Sequence, residues 1–226
     1  MDVLTTTTPF ATLDAIHGQR AMDVYDVLVN SENIDESWFT LIENDGDLKA
    51  RLTEQGITEP SKKSSIQWDD AVLFFTSILM MTKDGTPLQI GDSKTRERFG
   101  RFPYQNGSTM EYILSFICPS NHKDKTSEED EIYSELDELL NALSQRCSES
   151  WVGHQRFTKG SGGLNIAGFL THEEVRTVRL HLASRVWTVS KDEPLDGGLA
   201  DAMRHLIALL KAAERRNVGL VLRYHA

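Results

Sequence analysis

Apolar side chains recur at three- and four-residue steps along most of this chain, and give way to strand-like runs mainly in its last third. Residues 12–30, with Leu13, Ile16, Met22, Val24, Tyr25 and Leu28, predict two helical pieces broken near Gly18. Residues 35–52 predict a second helical region, interrupted at Gly46, that offers Trp38, Phe39, Leu41, Ile42, Leu48 and Leu52 to a core. Glu59-Pro60-Ser61 marks a loop. Ser64 followed by Gln67 matches a capping box, in which a serine hydroxyl takes up an orphan backbone N–H. That box opens a helix over 68–81, apolar nearly all round and therefore expected at the centre of the fold. Asp84-Gly85-Thr86-Pro87 ends it, residues 88–90 read as a short strand, and 91–109 as an irregular surface segment.

A short helix over 110–118 stops at Pro119. Thr126 with Glu129 forms a second capping box, after which Ile132, Leu136, Leu139, Leu140 and Leu143 fall at helical spacing and leave the acids outward. Residues 151–157 and 164–169 predict strands flanking the loop Lys159-Gly160-Ser161-Gly162-Gly163. Thr171 with Glu174 is a third box, opening a helix with Val175, Val178 and Leu182 on one side. Residues 185–190 (RVWTVS) read as a strand. The last unit is the clearest. Leu199, Met203, Leu206, Leu210 and Ala213 form one helical stripe ending at Asn217, and 218–224 is β-rich. Burying its four large side chains contributes about 6–12 kcal/mol before conformational entropy opposes it. The resulting expectation is an α+β fold, mainly helical with a small sheet in the C-terminal third. No linker divides residues 1–226, so the chain reads as a single domain or as two tightly packed lobes, 1–109 and 110–226.

Charge changes this picture more than overall composition does. Residues 1–59 carry twelve Asp/Glu against Arg20, Lys49 and Arg51, and residues 128–138 (EEDEIYSELDE) carry seven more with no base. The chain as a whole has a net charge of −10, so its acidity is concentrated in two blocks. Such surfaces repel nucleic acid and attract basic partners, more weakly as salt rises. The longest apolar run, 71–81, is too short to span a bilayer. The first ten residues show neither the basic start nor the apolar stretch of a secretory signal, and the threonines at 5–8 read as a loose end. Cys118 and Cys147 have no CxxC spacing and fit reduced thiols, so a cytoplasmic location is expected.

The candidate chemistry is thin. His172-Glu173-Glu174-Val175-Arg176 has an arginine where a zincin helix needs its second histidine, and Asp201 one turn before His205 is an isolated pair. No metal, cofactor or catalytic residue is therefore assigned. The glycine loop at 160–163 matches neither phosphate-binding signature. An enzyme site assembled around it from His154, Ser161, His172 and Arg176 is the rival reading, and a scaffold without catalysis the third. Lys94, Arg96, Arg98 and Arg101 alternate with Phe99, Phe102 and Tyr104, a pattern able to hold single strands. Glu97 interrupts that patch, and an internal partner for the acidic faces explains it better than a nucleic acid does.

The C-terminal segments MEYILSF, EIYSELDELLNAL, GFLTHEEVRTVRLHL and AMRHLIALLKAAERRNVGLVLRYH, within residues 110–226, resemble small bacterial immunity proteins of polymorphic or contact-dependent toxin systems. The resemblance implies a non-catalytic inhibitor that binds a cognate toxin and occludes a basic active site with acidic residues. Together with the charge pattern it makes a basic protein the expected partner. The expected docking residues are Glu128, Glu129, Asp130, Glu131, Glu135, Asp137 and Glu138, supported by Asp35, Glu36 and, as an aromatic anchor, Trp38.

Overall fold

The computed structural model describes residues 10–104, 107–122, 126–184 and 186–225; the threonines at 5–8 lie outside the described residues. From the N-terminus run β1 (Phe10–Ile16), α1 (Gly18–Asn30), α2 (Ile34–Asn44), α3 (Gly46–Glu54), α4 (Asp70–Ile78), α5 (Ser93–Gly100) and α6 (Thr109–Phe116). There follow β2 (Ile117–Pro119), α7 (Ser127–Gln145), α8 (Glu149–Val152), β3 (Asn165–Leu170), α9 (His172–Ala183), β4 (Trp187–Val189), α10 (Gly198–Arg216) and β5 (Gly219–His225). The chain is α+β and mainly helical, with its helices packed around a small antiparallel sheet.

That sheet has the order β1-β5-β3, and β2 pairs separately with β4. β1 runs antiparallel to β5 from Phe10 opposite His225 to Ile16 opposite Gly219, so the pairing crosses the 109/110 boundary. One core takes Leu13, Ala15, Leu220 and Leu222 from the sheet and packs them against α6, α7, α9 and α10. The other takes Ile16, Val221, Ile166 and Phe169 and packs them against α1 to α4. Helices thus cover both faces. A strand buried on both sides has no solvent-facing positions, which is why Gly219-Leu220-Val221-Leu222 reads as an unbroken apolar run.

Both threonine capping boxes form as expected, at Thr126–Glu129 and Thr171–Glu174. Elsewhere local patterns mislead. Residues 10–16 form a strand where the spacing of Leu13 and Ile16 suggests a helix. α4 begins at Asp70 with Asp69 as its cap, while Ser64 lies in a single 3-10 turn. The segment at 91–109 contains α5, capped by Asp92, whose carboxylate accepts from the Thr95 N–H at 2.7 Å. Residues 149–152 are helical rather than extended, and Met81–Pro87 makes only an isolated bridge in place of a strand at 88–90.

Candidate functional site

The acidic helix α7 is held firmly from behind. Leu136, Leu140, Ala142 and Leu143 are buried, and the helix packs on β3 and α9. Its first turn is fixed by Thr126, whose hydroxyl accepts from the Glu129 N–H while its own N–H donates to Glu129 Oε2 at 2.8 Å. That backbone N–H holds the Glu129 carboxyl below its ordinary range, helped by His122 at 3.3 Å. Glu128, Glu131, Glu135 and Glu138 follow one another at steps of three, four and three residues, and all four are exposed. At 3.6 residues per turn they fall within about 80° of arc and form a stripe about 15 Å long. Glu135 accepts from, or pairs with, His181 Nε2 at 2.7 Å. Glu128, Glu131 and Glu138 make no ion pair among the described residues. Asp137 accepts from Asn141 Nδ2 at 3.2 Å and sits to one side, as does Asp130.

The N-terminal acidic block is spent differently. Arg20 donates through Nε and Nη2 to Asp45, at 2.6 and 2.8 Å, and Lys49 donates to Glu43. Asp35 accepts from the Ser64 N–H at 2.8 Å and ties the 3-10 turn to α2, while Glu36 accepts from Asn33 Nδ2 at 3.0 Å at that helix's own entry. Trp38 is not a surface anchor. It is 0% exposed, shares the buried face of α2 with Ile42 one turn on, and donates from Nε1 to the Pro60 carbonyl at 2.8 Å. The exposed aromatic of that pair is Phe39, at 53%. The buried residues of α2 and α7 belong to different cores, so the two acidic blocks stand on opposite layers of the molecule.

A second cluster was not assigned from the sequence. Asp14 and Thr12 alternate with Leu13 on β1, and Arg223 and His225 alternate with Leu222 and Tyr224 on β5. Arg223 Nε and Nη2 both reach Asp14 Oδ2 at 2.7 Å, Arg96 Nη2 stands 3.7 Å from Asp14 Oδ1, and the Arg223 guanidinium lies 4.3 Å from the Phe75 ring centre. The Thr12 hydroxyl donates to Asp14 at 3.3 Å and lies 2.9 Å from His225 Nε2. His225 stacks on Phe10, which also receives the Arg101 guanidinium at 5.4 Å. The basic segment of 94–104 therefore does meet the N-terminal acidic block, at Asp14. The available signal was a charge inside each of two apolar strands, Asp14 in TLDAI and Arg223 in VLRYH, which the ladder brings together as diagonal neighbours.

The glycine loop lines a cavity of about 350 Å³ with Phe75, Thr76, Arg223, Tyr224 and His225. Ser161 is there, its N–H donating to Asp69 at 2.9 Å, but His154, His172 and Arg176 do not line it. His154 lies near Phe157, and Arg176 is exposed on α9. Asp201 pairs with Arg204 at 2.7 Å. Burial pushes the Cys147 thiol up, away from the reactive thiolate. Among the described residues no helix is long and apolar enough to cross a membrane. No family model, no curated protein and no solved structure matches this chain.

Proposed function

We propose that this protein acts by binding, and that α7 docks it onto a basic protein partner, in the manner of a cytoplasmic immunity protein that occludes the active site of a toxin. The supporting observation is the glutamate stripe at 128, 131, 135 and 138. Like charges three or four residues apart cost a helix about 0.2–0.5 kcal/mol per pair. A chain that keeps three such neighbours on an anchored face, with three of the four carboxylates unpaired among the described residues, holds a negative surface in fixed geometry. A cationic cleft would relieve that repulsion and be steered to it over a Debye length. The rival enzyme reading needs His154, Ser161, His172 and Arg176 to meet around the glycine loop, and of these four only Ser161 lines the cavity there.

The test is to isolate a partner by co-purification at low salt, then to compare the wild type with Glu131→Lys/Glu135→Lys/Glu138→Lys in stopped-flow association. The expected result is an association rate reduced about tenfold or more, together with a flattened salt dependence. An unchanged rate, or cross-links that fall away from α7, would overturn the assignment.

A further inference from the structure

β1 is an edge strand, and among the described residues its outer edge is covered at two places with a gap between them. At one end the Met80 N–H donates to the Ala15 carbonyl at 2.8 Å. At the other, Gly100 lies so close that an added Cβ would come within 2.7 Å of the Ala11 carbonyl oxygen. Between these two contacts, beside Leu13 and Asp14, a cavity of about 520 Å³ opens. Its walls are the 82–90 segment, Arg96 from α5, Arg216 from the end of α10 and Arg223 from β5. Because the Ala15 carbonyl points outward, the two-residue alternation of an antiparallel strand turns the Leu13 N–H toward the same opening.

The charges in this cavity do not balance. Among the described residues Asp14 is its one lining carboxylate, against three guanidiniums. Arg223 already gives Nε and Nη2 to that carboxylate, and Arg96 reaches it only at 3.7 Å. Arg216 has a neutral partner instead, donating from Nη1 to the Gln89 carbonyl. Arg223 is anchored by Asp14 and by Phe75, so its position is fixed without a ligand. A net charge of about +2 is thus gathered in one concave place on a chain whose overall charge is −10. Arginine offers planar, paired donors that match the oxygens of a phosphate or carboxylate group. Leu13, Pro87, Leu88 and Ile90 add apolar wall for the rest of a molecule.

We infer that this gap in the β1 edge is a binding site for a small molecule bearing an oxyanion, held by Arg96, Arg216 and Arg223. The acidic stripe of α7 plays no part in it. Phosphate and carboxylate share the chemistry, so calorimetric titrations with inorganic phosphate and with acetate, each at constant ionic strength, separate the two. The expected result is saturable one-site uptake of at least one of them. The double variant Arg96→Gln/Arg216→Gln should weaken it about tenfold for each guanidinium removed. Lys94→Gln/Arg98→Gln, which removes two nearby cations outside the lining, should leave it within twofold. If the double variant melts, Arg216→Gln alone gives the same reading, since its side chain is exposed. The inference is overturned by absence of saturation with both anions, by unchanged affinity in the lining variant, or by an equal loss in both double variants.

Discussion

Trp38 and Asp14 show how one residue type can carry opposite meanings. The sequence places Trp38 beside Asp35, Glu36 and Phe39, which suits a surface anchor equally with a core residue, because a helix turns 100° between neighbours. Its burial and the bond to Pro60 decide the matter. Trp38→Ala should cost about 3–5 kcal/mol of stability in urea unfolding, whereas Phe39→Ala should stay within about 0.5 kcal/mol. Comparable small losses from both would mean that α2 does not bury the indole. Asp14 was hidden for a different reason. Its partners Arg96 and Arg223 are far away in the chain, and nothing in TLDAI alone says that a carboxylate there will be hydrogen-bonded by one arginine and faced by another.

Helical stripes and the threonine capping boxes, whose groups lie within four residues, were legible, as were the β-rich runs of β3, β4 and β5, whereas β1 and α5 were not. The Thr126 and Thr171 boxes and the stripes of α7 and α10 are local, so spacing alone revealed them. β1 owes its conformation to a partner about two hundred residues later, and α5 buries Phe99 and Gly100 and little else. The acidic stripe of α7 was therefore visible in advance, while the arginine-lined cavity, assembled from four separate elements, was not. α7 is also placed with little tolerance. Its last turn lies against a bulge in β3, where Cys147 N–H donates to the Ala167 carbonyl at 2.9 Å. A Cβ added at Gly168 would sit 2.1 Å from the Ala142 oxygen and 2.6 Å from that of Leu143. Gly168→Ala should accordingly destabilise the fold by about 1–3 kcal/mol or more, read as a fall in Tm. A Tm equal to wild type would show that α7 can move off the strand, and the fixed geometry of its glutamates would go with it.

At the scale of the molecule, three histidines set the response to acid. Burial lowers His17, His205 and His225 below their ordinary value of 6.5, and neighbouring arginines add to it: Arg20 and Arg51 for His17, Arg98 for His205, Arg223 for His225. The unfolded chain then binds protons first as pH falls through 6.5, so stability is full above that value and declines below it. At Asp45 and Glu174 burial opposes ionisation, but Arg20 with the Leu48 N–H, and Arg146 with Thr171, overrule it and hold both carboxyls low. Their contribution disappears in a second, more acidic step, as pH falls from the unfolded carboxylate range through their depressed values. Urea midpoints measured from pH 8 to 3 should fall in these two stages; a midpoint that stays level from pH 7 to 5 would contradict the histidine assignment. The sheet's order has a consequence for synthesis. Both β1 and β3 hydrogen-bond to β5, which follows them in the chain, and not to each other. At 5–20 residues per second β1 waits about 10–40 s on the ribosome before its mate exists. During that interval the strand edges of β1 and β3 that will pair with β5 stand open, the kind of exposed edge that invites pairing with other chains.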